Sequence, residues 1–332
     1  MIRVAINGFG RIGRRVLRLA LDYDSISIVA INDIADAKTL SHLFKYDSIH
    51  GVFPGAVSFD NEHITINDTT IPLLNNSRLE SIEWSDYNPD VIIEATGKFK
   101  TSEELNRHIS NGAKRVILSV PPLSDAIKTV VLGVNDDILD GTECIISNAS
   151  CTTNNAAPMI ALMDKNFGVE QAYITTVHSY TTDQSLHDQP HRDLRRARAA
   201  GQSIVPTTTG AAKALTKIFP KLSDAIGGCG IRVPVANGSL TDITFNVKQP
   251  VTIEAINSVF KSSADNELKG ILQYTEDPIV SIDIVGNTHS CIFDAQMTSV
   301  IGNMVKVVGW YDNETGYSSR ILDLICNLSD KS

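Results

Sequence analysis

The chain has 332 residues, of which 42% are hydrophobic and 20% charged, with a formal net charge of −9. That length suits two domains better than one core, and the composition is that of an ordinary globular protein. The acidic balance argues against a dedicated nucleic-acid surface, because affinity for the phosphate backbone comes from clustered Lys and Arg.

Met1 to Val4 enters a strand-like pattern directly, without signal-peptide character, and no apolar run reaches the roughly 18 residues needed to span a bilayer. A cytoplasmic protein with no membrane segment is expected. Five cysteines without metal-ligand or disulfide-framework spacing agree with a reducing compartment and with no metal site.

The first strand-like run, Arg3 to Asn7, leads into Gly8-Phe9-Gly10-Arg11-Ile12-Gly13, which opens a helical pattern from Arg11 to Leu21. A G-x-G-x-x-G alone is weak evidence. Here a strand precedes it, a helix follows, and Asp33 ends the next strand-like run, Ile26 to Ile31. Glycines at these places let the backbone approach a pyrophosphate seated on the helix N-terminus. A carboxylate at Asp33 accepts hydrogen bonds from a ribose 2′-hydroxyl and repels a 2′-phosphate, so NAD is expected over NADP.

Further apolar runs follow at Val91 to Ala95, Val116 to Leu118, Val130 to Val134 and Cys144 to Ile146, with helical stretches between. Such continuous runs indicate strands covered on both faces, hence a doubly wound, mostly parallel sheet of the α/β class in residues 1–150. Val57 to Leu73 reads differently, as short alternating strands with Asn/Asp turns, and predicts a hairpin at the sheet edge.

Ser147-Asn148-Ala149-Ser150-Cys151-Thr152-Thr153-Asn154 places one thiol between hydroxyl residues, before the helical pattern Ala156 to Phe167. A helix N-terminus favours thiolate over thiol, which makes Cys151 a candidate nucleophile with a lowered pKa. Cys144, Cys229, Cys291 and Cys326 lie in apolar or glycine-rich runs where a cysteine packs as a small hydrophobe.

After Cys151 the pattern changes to longer strand-like segments: Ala172 to Tyr180, Leu240 to Val247, Ile279 to Val285, Ser290 to Thr298 and Val305 to Tyr311. They predict a second, α+β domain over 151–314 on a largely antiparallel sheet, and a terminal helix within 315–332. His178 stands near the end of one such strand and is a candidate base for Cys151 and partner for a developing oxyanion. Three sets of groups could hold anions: Thr181 with Asp183; Thr207-Thr208-Thr209-Gly210 before a helix; and Arg232 in an apolar run. The threonine run serves equally as a helix cap, and Arg232 equally as the partner of a structural carboxylate. Residues 179–206 form a long aperiodic segment carrying Arg192, Arg195, Arg196 and Arg198, which suits a small anion or a subunit contact.

Gly8 to Arg14, Ser147 to Asn154, His178 to Thr181, Asp193 to Ala200, Pro206 to Lys213, Arg232-Val233-Pro234 and Trp310 to Ser318 together resemble the phosphorylating glyceraldehyde-3-phosphate dehydrogenases along essentially the whole chain. The resemblance implies a Rossmann-type NAD domain and a catalytic domain in which Cys151 forms a thiohemiacetal and His178 is base and oxyanion partner. Cofactor contacts carry over to Gly8, Gly10, Arg11, Ile12, Gly13, Asp33, Arg78, Thr96, Ser119 and Asn313. Thr181, Asp183 and Arg232 correspond to the pocket for the phosphate of glyceraldehyde 3-phosphate. Ser150, Thr152, Thr209 and Gly210, with Arg196, correspond to the site for attacking inorganic phosphate. A homotetramer built around the arginine-rich loop is implied too, as is a C-terminal helix, within 315–332, that returns to the cofactor domain. Departures stand at Asn155, where many members carry a second cysteine, at Val120-Pro121-Pro122, and at Gln189. The sister erythrose-4-phosphate dehydrogenases and a catalytically idle scaffold of the same fold are the competing readings.

Overall fold

The computed structural model describes residues 1–330. It divides into two compact units: Met1–Val130 with Asp137–Ala149 and the segment from Ser318, and Val131–Asp136 with Ser150–Tyr317.

Among the described residues, the first unit holds a nine-stranded sheet in the order Lys128–Thr129, Ile145–Ser147, Arg115–Leu118, Val91–Glu94, Ile2–Asn7, Ile26–Asn32, Thr69–Leu74, His63–Ile66 and Val57–Phe59. Pairing is parallel as far as Thr69–Leu74 and antiparallel through the edge hairpins. Val4, Ile6, Ile92, Ile93, Val116 and Ile117 are fully buried, as strands covered on both faces require. The register sets Asn7 opposite both Asn32 and Glu94, so three polar side chains line up at the carboxyl end of the central strands. That end is where open parallel sheets bind ligands. From Ser318 the terminal helix buries Ile321, Leu322, Leu324, Ile325 and Leu328, and its Asp323 accepts from Tyr23 Oη at 3.0 Å.

The second unit carries a sheet in the order Val205–Thr207, Ile226–Val233, Val169–Ser179, Ser239–Val247, Met304–Tyr311, Cys291–Asp294 and Leu272–Thr275, with Ser299–Ile301 paired to Met304–Tyr311. Two of its pairings are parallel, Val169–Ser179 with Ile226–Val233 and Leu272–Thr275 with Cys291–Asp294. The helix Cys151–Phe167 packs on this sheet, with Ala156, Ala157, Met159, Ile160 and Met163 fully buried.

Two expected strands are absent. Val130 to Val134 leaves the ladder after Thr129 because Asn135 Oδ1 takes the Val131 N–H at 2.8 Å and Asp136 Oδ1 takes that of Gly133, also at 2.8 Å. Ile279 to Val285 is a run of turns, closed by Asp283, whose carboxylate accepts from Val280 N at 2.8 Å. In both places a polar side chain offers the backbone a local partner and outcompetes the sheet. Ser290 to Thr298 keeps a strand only over Cys291–Asp294, since Asp294 caps a short turn over Ala295–Met297. Cys144, expected to pack as a small hydrophobe, is exposed.

Candidate active site

The helix carrying the thiol starts abruptly. Ala149 takes a left-handed φ of 55°, uncommon for a residue with a Cβ. Ser150 is extended and caps the helix, its Oγ accepting from Thr153 N at 3.1 Å. Cys151 is thereby the first helical residue, among N–H groups that lack helical partners. Its Sγ lies 3.4 Å from His178 Nε2.

His178 and Arg232 are direct neighbours across the parallel pairing, so sheet register alone delivers the guanidinium to the imidazole. His178 Nδ1 is 2.7 Å from Ser179 O, and Arg232 Nη1 is 2.5 Å from Nδ1 and 3.1 Å from Ser179 O. Ser179 O only accepts and Arg232 Nη1 only donates, so their contacts to Nδ1 call for opposite tautomers; in the Nδ1–H form, Nε2 faces the thiol as an acceptor. Burial and the Arg232 charge push His178 down to about 3. Burial pushes the Cys151 thiol up, while Arg232 and hydrogen bonds from Thr152 pull it back. The lowered thiol expected from the helix terminus is therefore corrected. Desolvation is the largest influence on both groups, and it favours their neutral forms.

Tyr311 received no role from the sequence alone. Its buried phenol lies 2.8 Å from Thr152 Oγ1 and 2.9 Å from Thr176 Oγ1, and its ring stands edge-on to His178, with centroids 5.8 Å apart. Burial raises the phenol above its ordinary range, so it remains protonated, and its hydroxyl is hydrogen-bonded to Thr152 beside the thiol. A tyrosine alternating with buried valines near a strand end was the only sequence signal. Asn155 is fully buried, and its Nδ2 donates to Trp310 O at 3.1 Å and Ser290 O at 3.4 Å. The Asn155 amide is thus a bracket between helix and strands. Asn313 Oδ1 accepts from Ser179 Oγ at 2.8 Å and Ser239 Oγ at 3.1 Å, which orients the amide with Nδ2 as the donor.

The remaining anion-site candidates gather around Arg196. Its guanidinium donates to Asp183, to Thr207 Oγ1 at 3.0 Å and to Thr208 O at 3.3 Å. Asp183 thus holds an arginine in place, a task that suits a carboxylate better than meeting an anion. Thr209 caps the helix Gly210–Ile218, its Oγ1 accepting from Ala211 N at 3.2 Å. Capping uses an oxygen lone pair and leaves the hydroxyl hydrogen to donate, so the cap and anion readings are compatible. Thr181 is half-buried, with its N–H 3.3 Å from Gln184 Oε1.

In the first unit, Gly8 has φ +96°, and a Cβ there would stand 2.6 Å from Thr96 N; a Cβ on Gly13 would stand 2.2 Å from Gly8 O. Gly10 has nothing within 4 Å of such a position and opens the helix Arg11–Ala20 without a side-chain cap. The turn is compressed on its protein side and open on the other, as a backbone cradle for a diphosphate needs. Gly8, Gly10, Asp33 and Thr96 line a cleft of about 230 Å³. Asp33 accepts from Phe9 N at 2.7 Å and Ala35 N at 3.0 Å, so it also ties the turn down. Arg11 spends its guanidinium on Asp47, at 2.8 and 3.1 Å. Ile12 follows it in the first helical turn, half-buried. Arg78 is exposed beside Glu80, Ser119 is buried at a strand end, and neither lines this cleft.

Residues 2–102 match the family model described as the glyceraldehyde 3-phosphate dehydrogenase NAD binding domain, and residues 150–313 match that of the C-terminal domain. The chain is 47% identical to glyceraldehyde-3-phosphate dehydrogenase 1 of Bacillus cereus, over 100% of this chain and 99% of the relative. Identity is also 47% with the Geobacillus stearothermophilus enzyme, covering 99% of each, and 49% with that of Mycobacterium avium, covering 98% and 97%. The chain belongs to the glyceraldehyde-3-phosphate dehydrogenase family. As a member it is an NAD-dependent dehydrogenase, and the glycine turn with Asp33 fits that cofactor on steric and electrostatic grounds. Among the described residues, no helix is long and apolar enough to cross a membrane.

Proposed function

We propose that the protein oxidises D-glyceraldehyde 3-phosphate with NAD and inorganic phosphate to 1,3-bisphosphoglycerate through a thioester on Cys151. The single observation carrying this reading is the 3.4 Å approach of Cys151 Sγ to His178 Nε2 at a helix N-terminus, beside Arg232. Cys151 attacks the aldehyde carbon while His178 Nε2 takes the thiol proton, and the imidazolium then donates to the oxyanion. Gly8, Gly10, Asp33 and Thr96 would hold NAD, which would supply the hydride acceptor. His178 removes the hydroxyl proton as the hydride leaves, which gives the thioester. A phosphate oxygen attacks the thioester carbon, the C–S bond breaks, and the Cys151 sulfur departs as thiolate.

Arg232 and Thr181 would bind the substrate's own phosphate, and an anion there offsets the charge that depresses His178. Ser150, Thr209, the Gly210 N–H and Arg196 would bind the attacking phosphate, while Thr152 serves the thiol. The protein is proposed to work in the cytoplasm as a homotetramer, with Leu186, Leu194 and Ile204, all well exposed, covered by partner copies. Initial rates of NADH formation test the substrate. Glyceraldehyde 3-phosphate should exceed erythrose 4-phosphate by at least tenfold in kcat/KM, with phosphate required. A preference for the four-carbon sugar would assign the sister activity, and no NADH from either would indicate an idle scaffold.

A further inference from the structure

The polar groups buried beneath the cofactor cleft form one directed hydrogen-bond network, and its direction follows from donors and acceptors that cannot be reversed. At one end, Asn76 offers a backbone N–H and a backbone C=O to the Asn32 amide: Asn76 N donates to Asn32 Oδ1 at 2.9 Å, and Asn32 Nδ2 donates to Asn76 O at 3.0 Å. This orients Asn32, so its Nδ2 also donates to Asn7 Oδ1 at 2.7 Å, and Asn7 Nδ2 must face Glu94 Oε2, at 2.5 Å. At the other end the Trp84 indole, which can only donate, gives its proton to His108 Nδ1 at 2.9 Å. The remaining proton of a neutral His108 is on Nε2, 3.0 Å from Glu94 Oε2. Thr96 N donates to Glu94 Oε1 at 2.9 Å, and the Thr96 hydroxyl donates to the same oxygen.

Asn7, His108 and Thr96 turn four donor groups toward Glu94, and Glu94 and His108 are both fully buried. Only an acceptor-only side chain satisfies such a site. A glutamine would turn its amide hydrogens toward either the Asn7 and His108 donors or the Thr96 N–H. Apart from the His108–Trp84 branch, the network ends at the cleft: Asn7 precedes Gly8, Asn32 precedes Asp33, and Asn7, Asn32, Asn76 and Thr96 themselves line it.

The geometry points to Glu94 as a positioning residue for NAD, the sink that fixes the glycine turn, the Asp33 strand end and the Thr96 loop relative to one another, with His108 and Trp84 fixing its orientation from behind. The assignment rests on the cleft being the cofactor's, and the test separates the two. NAD affinity is measured by calorimetry, with KM and kcat alongside, on the full-length protein for Glu94→Gln, His108→Gln, His108→Leu, Asp33→Ala and Ile64→Ala, the last a buried truncation in the edge hairpin that matches a loss of thermal stability without touching the network.

Glu94→Gln is expected to raise Kd and KM for NAD at least tenfold while kcat changes less than threefold. His108→Gln, which keeps a donor toward Glu94, should lose less affinity than His108→Leu, and this pair carries the test if Glu94→Gln does not fold. Ile64→Ala should leave Kd within twofold. Unchanged affinity in Glu94→Gln with weakened binding in Asp33→Ala overturns the network's role, as does an equal affinity loss in Ile64→Ala at matched stability. Unchanged affinity in Asp33→Ala overturns the cleft assignment, and the inference with it.

Discussion

At the scale of single residues, chemistry rests on how one thiol, one imidazole and one guanidinium share charge. Cys151→Ser should lose several orders of magnitude in kcat, because a hydroxyl stays protonated where His178 can take the thiol proton. His178→Asn should cost about 10² to 10⁴-fold, the usual worth of a general base. The Arg232 charge favours thiolate and disfavours imidazolium, since it pulls both groups downward. Removing it in Arg232→Gln should move the alkaline midpoint for alkylation of Cys151 by iodoacetamide to higher pH. An unmoved or lowered midpoint would contradict the electrostatic picture. The depressed His178 also enters stability. Its folded value lies below the unfolded 6.5, so this contribution is present above pH 6.5 and is lost as pH falls from there toward 3. Urea unfolding across that window should show wild type losing more stability than His178→Asn.

At the scale of elements, the glycine turn and the two capped helices place the ligand-facing groups. Gly13→Ala forces a Cβ against Gly8 O, an overpacking worth about 1–3 kcal/mol, and should lower both thermal stability and NAD affinity. A stable variant with normal affinity would mean that this turn does not set the cofactor. Asp33→Gly should weaken NAD more than it admits NADP, because it removes the acceptor for the Phe9 and Ala35 N–H groups as well as the ribose partner. A wild type that uses NADP as well as NAD would defeat the argument from 2′-phosphate repulsion.

Much at this scale was legible in sequence. The strand, glycine turn, helix and Asp33 follow one another in the chain, so local patterning exposes them, whereas the helix read from Ala156 in fact starts at Cys151, behind its Ser150 cap. What escaped depends on side chains far apart in sequence. Arg232 reaches His178 through parallel register, Tyr311 reaches Thr152 across the unit, and Glu94 meets His108 behind the sheet. Apolar runs such as Val130 to Val134 and Ile279 to Val285 misled because Asn135, Asp136 and Asp283 supply turn partners that hydrophobic periodicity does not register. The thiol misled for a related reason, since its helix terminus is visible in sequence and its desolvation is not.

At the scale of the whole molecule, Leu186 and Leu194 are 79% and 82% exposed on the loop that also carries Arg196. Exposed leucines this close together on a charged chain call for a partner, so light scattering should give a tetramer and Leu194→Asp should shift it toward smaller species. A monodisperse monomer would remove the oligomer from the account. The central claim, an acyl group held on Cys151 until phosphate takes it, is tested most directly by rapid mixing of the NAD-loaded protein with glyceraldehyde 3-phosphate in the absence of inorganic phosphate. One NADH should form per chain in a burst followed by slow turnover, with the acyl mass located on the peptide containing Cys151, and added phosphate should restore steady turnover. Continuous NADH formation at the full rate without phosphate or arsenate, or an acyl mass on any other residue, would contradict it.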